Sequence, residues 1–237
     1  DKMNVVRDHP PFAISQEALA LHETLRVADL HADTLLWMRN PAERHRRGHT
    51  DLPRLQDGGI FLQVFASVTK SPSDLNYNEN DASSDDITLL AFAQRWPVDT
   101  WTSLFARARF HARRLHRLER DSGGDLRVIR TTGDLQAAIF AREANRNVVA
   151  GILATEGAHP LEGDLDNIQR LYDEGYRVIG LQHFFDNELG GSLHGLSDAG
   201  LTEFGREAVL ALAERGMILD LAHSSEQVVR DVLELTD

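Results

Sequence analysis

The chain has 237 residues, 42% of them hydrophobic and none a cysteine, and 25 Lys and Arg stand against 37 Asp and Glu, a formal net charge of −12. That is globular composition with enough apolar residue to fill a sizeable core, and the acidic balance argues against nucleic acid or anionic membrane surfaces as partners. The missing cysteines exclude disulfides, thiolate metal sites and a cysteine nucleophile, so any metal must be held by His, Asp and Glu. No apolar run approaches the roughly 18 residues of a membrane span. The opening Asp1-Lys2-Met3-Asn4 shows no signal-like apolar core. Position 1 is not Met, so a processed chain or a fragment is expected.

Residues 1–13, with Pro10-Pro11, are expected to be an extended lead-in. Ser15 to about Arg26 carries Ala18, Leu19, Leu21 and Leu25 at amphipathic spacing and predicts a short helix with Ser15 as N-cap. Val27 to Thr34 then reads as a short buried strand ending on His31 and Asp33. Residues two apart in a strand share a face, so the imidazole and the carboxylate can converge on one point and suit a zinc-type cation. The competing reading of that pair is a surface His beside a helix-capping Asp. A loop rich in charge and His, 39–51, leads through Gly58-Gly59 to a near-continuous apolar run from Ile60 to Ala66, the pattern of a strand buried on both faces. Ser71 to Asp86 is a long polar loop, and loops of that length are usually functional or mobile. A helical region runs from about Ile87 to Arg120 with a break expected at Trp96-Pro97. Its basic cluster, Arg107 to Arg120, reads as a solvated helix face. Asp125 to Arg130 is a strand-like link, and Thr132 to Glu143 predicts a helix.

The second half has a regular rhythm. A buried strand from Asn147 ends at Glu156, and the helix Leu165 to Glu174 has Gly175 as its C′ residue. The strand Arg177 to Leu181 ends at His183. A helix from Leu201 to Arg215 leads to the strand Met217 to Leu221, which ends at His223, and Ser224 is expected to cap a last helix. Strand–helix alternation of this kind implies a parallel sheet. A doubly wound nucleotide-binding sheet would carry a Gly-rich turn after its first strand. Here His31-Ala32-Asp33-Thr34 stands in that place. The favoured fold is therefore an α/β, TIM-type (β/α)8 barrel, incomplete here with about five of eight strands, and one domain over residues 1–237.

Four strand ends carry a chemically capable residue: His31 with Asp33, then Glu156, His183 and His223. In such barrels the active site lies at the C-terminal ends of the strands. A Glu carboxylate can bridge two cations, so His31, Asp33 and Glu156 would serve one metal, and Glu156 with His223 the other. Two metals held in this way clamp a bridging water and lower its pKa, a design for hydrolysing an amide or ester.

The runs Asp29-Leu-His-Ala-Asp-Thr34, Thr155-Glu-Gly157, Gly175 to His183 with Asn187, Gly200-Leu-Thr-Glu-Phe-Gly-Arg206 and Gly216 to His223 resemble the renal (membrane) dipeptidase family of binuclear zinc peptidases. The resemblance runs from about residue 26 to the end. It implies a metal-dependent-hydrolase barrel with two Zn2+ ions bridged by Glu156 and a water. It implies that His31 and Asp33 bind the first zinc and His223 the second, and that His183 contacts the substrate or stabilises the tetrahedral intermediate. The substrate it implies is a dipeptide, often with a D-residue on the C-terminal side. A second zinc His, a substrate Arg and a catalytic Asp that follow in the family have no counterpart before Asp237, so a chain truncated at its C-terminus is expected. Two rivals stand beside the dipeptidase: a non-catalytic truncated barrel that binds one metal or a peptide, and another barrel amidohydrolase, against which His31-Ala-Asp33 counts because those enzymes usually open with His-x-His. A homodimer is allowed for, and the compartment is open between cytoplasm and periplasm.

The remaining histidines carry weaker expectations. His159, three residues after Glu156, is read as a loop residue ahead of the alternative that it lines the mouth, and His45 and His49 as loop residues near the first strand end. His22, His111 and His116 are read as surface helix residues. His194 lies in a Gly-rich loop, Gly190 to Gly195, that could cover the site. Asp220 is expected to be a buried carboxylate with a partner, and Trp37, Trp96 and Trp101 to be packing residues.

Overall fold

The computed structural model describes residues 4–236. Its helices and strands alternate as the pattern predicts, with the short α2 an addition that the pattern did not show: α1 Gln16–Thr24, β1 Val27–Ala32, α2 Leu52–Asp57, β2 Ile60–Val68, α3 Asp86–Ala93, α4 Leu104–Asp121, β3 Leu126–Val128, α5 Thr132–Ala144, β4 Val149–Glu156, α6 Asp166–Asp173, β5 Tyr176–Gly180, α7 Glu203–Glu214, β6 Ile218–Asp220 and α8 Glu226–Thr236. Local chemistry sets many of these boundaries. Ser15 Oγ accepts from Ala18 N–H at the start of α1, and Thr131 with Asp134 forms a reciprocal capping box on α5. The helical region after the polar loop breaks at Trp96-Pro97, where a short 3-10 turn, Val98–Trp101, separates α3 from α4. The last helix is capped one residue later than expected. Ser225 Oγ accepts from Val228 N–H, whereas Ser224 Oγ donates to Gln182 Oε1 at 2.6 Å.

Every recorded strand pairing is parallel, and hydrogen-bonded neighbours run β1-β2-β4-β5-β6, with β3 beside β4. The link at Asp125 to Arg130 is thus a sixth strand, paired Leu126 to Val149 and Val128 to Gly151. The chain forms two compact units, Asp1–Phe65 with Leu115–Ile152 and Ala66–Arg114 with Leu153–Asp237. The first is built on Phe61, Ile129, Ala138 and Ala150, all buried, with Leu62, Leu135, Ile139 and Ile152 packed around them. In the second, Tyr176 is fully buried and its hydroxyl donates to the Ala108 carbonyl at 2.8 Å while Ser67 Oγ lies 2.7 Å away. Burial pushes that phenol well above its usual range.

Three expectations need correction. The first strand is not buried: β1 alternates between half-buried and exposed, and Leu30 is 71% exposed. It stands at the end of the strand order with β2 as its neighbour, so one side lacks the cover that makes β2 and β4 apolar throughout. The short β6, at the other end, is likewise half-exposed. Asp220 there is half-exposed rather than buried and accepts from the N–H of Ala222 at 2.9 Å. Nor is the basic stretch of α4 wholly solvated. Arg107 is 1% exposed and His111 is fully buried, its ring against Trp96 and Phe110. Arg107 is buried because its guanidinium is saturated, donating to Thr100 O, Thr69 O, Asp85 Oδ2 and Thr88 Oγ1 within 2.7 Å. Among the described residues no helix is long and apolar enough to cross a membrane.

Candidate metal centre

In the second unit three strands deliver one side chain each. β4 ends on Glu156, β5 is followed by His183 and β6 by His223. Nε2 of His183 lies 3.4 Å from Glu156 Oε1, and Nε2 of His223 lies 3.3 Å from the same oxygen. The two imidazoles stand at 90° with centroids 5.2 Å apart. His183 is 4% exposed and its Nδ1–H donates to the Lys70 carbonyl at 3.2 Å. That bond puts the ring hydrogen on Nδ1 and leaves the Nε2 lone pair facing a carboxylate oxygen. Two acceptors so close need a proton or a cation between them.

The donor set tests well against a metal. One carboxylate and two imidazoles are the N/O ligands zinc takes, and each has a ligand atom within 4.8 Å of the others. Two ligand atoms each about 2.0–2.1 Å from a tetrahedral ion lie about 3.3–3.4 Å apart, which matches both Nε2–Oε1 separations.

His159, expected to be a loop residue, is instead part of the wall. It is 3% exposed and stacks on Phe185 with centroids 4.6 Å apart. Burial, helped by the nearby His183 and Lys70, pushes its pKa down to about 3, so the ring is neutral. Gly157 makes room for it: at φ +82° it adopts a backbone that side chains rarely take, and a Cβ there would meet His159 Nε2 at 2.7 Å. His159 lines a cavity of about 250 Å3 with Lys70, Ala82, Leu104, Phe185 and Asn187. His194 is also buried, stacked on Phe184 and 5.1 Å from the His223 ring. The Gly-rich loop therefore packs directly on a site histidine. The signals for both lie in the sequence: His159 stands three residues after the strand-end Glu156, and His194 sits in a Gly-rich turn after the strand-end His183.

In the first unit His31 and Asp33 do share a face. His31 Nε2 lies 3.1 Å from Asp33 Oδ1, and both side chains are 42% exposed. Asp33 follows β1 at the head of a 3-10 turn, Thr34–Leu36, where it makes no side-chain cap bond. The pair lines a cavity of about 220 Å3 with Trp37, Arg39 and His49. His45 instead lies within 2.9 Å of the Asn40 carbonyl through Nε2, and His22 within 3.0 Å of the Gly58 carbonyl.

A dipeptidase of Schizosaccharomyces pombe described as uncharacterised is 27% identical over 192 residues, covering 79% of this chain and 41% of that protein. The crystal structure of dipeptidase AC, a metallopeptidase, is 28% identical with a TM-score of 0.65, over 90% of this chain and 61% of that one. A Rhodobacter sphaeroides metallopeptidase, solved with a phosphinate mimic of the dipeptide L-Ala-D-Ala, is 26% identical with a TM-score of 0.66, over 90% and 63%. This chain thus spans about two-fifths of the curated relative and about three-fifths of the solved structures, and its fold is part of their TIM-type barrel. The model of the membrane dipeptidase family (peptidase family M19) matches residues 15–237, and with strand ends of this chemistry the chain belongs to that family.

Proposed function

We propose that the protein to which this chain belongs is a zinc-dependent dipeptidase that accepts a D-residue on the C-terminal side of its substrate. The observation that carries the reading is the meeting of Glu156, His183 and His223 at three strand ends in a chain of this family. The solved relative bound to a mimic of L-Ala-D-Ala supports the choice of substrate. His31, Asp33 and Glu156 would hold one zinc ion, and Glu156 with His223 the other. The ions, when bound, supply Lewis-acid polarisation of the peptide carbonyl and a lowered pKa for the attacking water.

The chain's own groups have separable tasks. His183, fixed through Nδ1 by the Lys70 carbonyl, presents Nε2 to the substrate. Protonated there, it donates a hydrogen bond to the oxygen that gains charge as the carbonyl becomes tetrahedral. Phe184 and Phe185, packed on His183 and on His159, keep water away from that hydrogen bond.

The test is metal analysis of that whole protein, as parent, and of its Glu156→Ala variant, with hydrolysis of L-Ala-D-Ala and L-Ala-L-Ala measured on the same samples. The reading expects zinc in the parent, loss of zinc from the variant, and hydrolysis of both dipeptides by the parent. Unchanged zinc content in Glu156→Ala would remove the bridging role.

A further inference from the structure

His183 and His223 approach Glu156 alike but are aimed by different means. His183 is fixed through its second ring nitrogen, bonded to the Lys70 carbonyl, so its ring is oriented by a backbone partner. His223 has no such bond. Its Nδ1 is buried without a hydrogen-bond partner among the described residues. The aim of its Nε2 must come from its backbone and its packing.

That backbone is unusual. His223 has φ +65°, a left-handed conformation that is costly for a residue with a side chain and persists only where the surroundings impose it. The surroundings here are one turn of the Gly-rich loop. The His223 carbonyl accepts from Leu193 N–H at 2.8 Å and from Ser192 Oγ at 3.1 Å. The same hydroxyl lies 2.5 Å from the His183 carbonyl, so its single hydrogen is shared between the two site histidines. Ser192 is 2% exposed, and its own N–H donates to Asp186 Oδ1 at 2.7 Å. Asp186 Oδ2 accepts from the N–H groups of Leu196 and Ser197 at 3.0 Å, which makes the turn rigid.

We propose that Ser192 is a positioning residue: its buried hydroxyl, bonded to the carbonyls of His183 and His223, imposes the left-handed backbone of His223 and so directs Nε2 of His223 at Glu156. The proposal rests on the reading of His223 as a metal ligand, and its test separates the two.

The parent, Ser192→Ala and Ser192→Thr are compared as the 237-residue chain with two readouts, and a thermal transition checks that each is folded. The first is the imidazole nitrogen and proton resonances of His223 and His183 without metal. The second is Co2+ affinity and its visible absorption. Ser192→Ala should move the His223 resonances and weaken Co2+ binding about 10- to 100-fold, and Ser192→Thr, which keeps the hydroxyl, should restore both. Unmoved resonances with unchanged Co2+ affinity in Ser192→Ala would overturn the proposal. If Ser192→Ala shows no cooperative transition, Asp186→Asn is read in the same way. It keeps the hydroxyl but loosens the turn, so a smaller shift in the same direction is expected and no shift overturns the proposal. A parent that takes up no Co2+ would sink the metal reading, while the imidazole resonances would still decide the role of Ser192.

Discussion

At Glu156, one carboxylate oxygen faces two imidazole nitrogens at 3.3 and 3.4 Å, and the division of labour between those imidazoles is a question for single substitutions. His183 has its proton placed on Nδ1 by a backbone carbonyl and is almost fully buried. Replacing it by Ala in an active preparation should cost turnover more than metal, because losing one oxyanion donor costs about 10²–10³ in kcat. The measurement is kcat per bound zinc. A variant that sheds zinc yet retains its rate per remaining metal would make His183 a ligand, a role its geometry toward Glu156 also fits. His31 and Asp33 are each 42% exposed and are paired with one another, so the first strand end presents an imidazole and a carboxylate on one face.

Among the elements, α4 holds the long polar loop in place. Arg107 on α4 donates to Thr69 O at the end of β2, to Asp85 at the N-cap of α3 and to Thr100 O. Asp85 also accepts from Ser71 N–H, which closes the base of the 71–86 loop. Toward its tip, Asn80 donates to the His194 carbonyl from both its backbone N–H and its side chain, at 2.9 and 3.1 Å. The loop is thus tied at two levels to elements that line the site, and Lys70, which orients His183, sits at its start. Arg107→Met keeps most of the volume but takes the guanidinium from Asp85 and from the carbonyls of Thr69, Thr100 and Trp101. Breaking a buried pair from one side costs about 3–5 kcal/mol, and urea unfolding should show a loss of that order. A change below about 1 kcal/mol would mean that the loop has other supports.

Across the whole molecule, two buried histidines make stability depend on pH. Burial holds His111 and His159 near pKa 3, against 6.5 in an unfolded chain. Below 6.5 the unfolded chain binds protons that the folded one refuses. Their contribution is therefore complete above about pH 6.5 and is lost as pH falls toward 3, by up to about 1.4 kcal/mol per pH unit for each residue. His111 lies against Trp96 with both ring nitrogens lacking partners among the described residues. His111→Leu should thus flatten the fall in urea midpoint between pH 6.5 and 4.5, measured with chelator present. An acid slope identical to that of the parent would show that His111 is not held neutral.

The sequence by itself determined the alternation of strands and helices, short α2 excepted, the chemistry at the strand ends and the family. Those depend on local signals: apolar runs, the caps at Ser15 and Thr131, and His or Glu directly after a strand. It could not tell which strands lack cover, because Leu30 and Phe61 look alike as apolar residues and only the neighbours of β1 and β2 distinguish them. A run of arginines on one helix likewise carries no sign that Arg107 will meet Thr69 and Asp85, 38 and 22 positions away. The tertiary structure alone decided that His183 is oriented by a carbonyl 113 residues distant and that one serine hydroxyl joins His183 and His223. Hydrogen bonds between residues so far apart leave no periodicity in the chain. They form only when parallel strands bring their ends together, and the site is built where that happens.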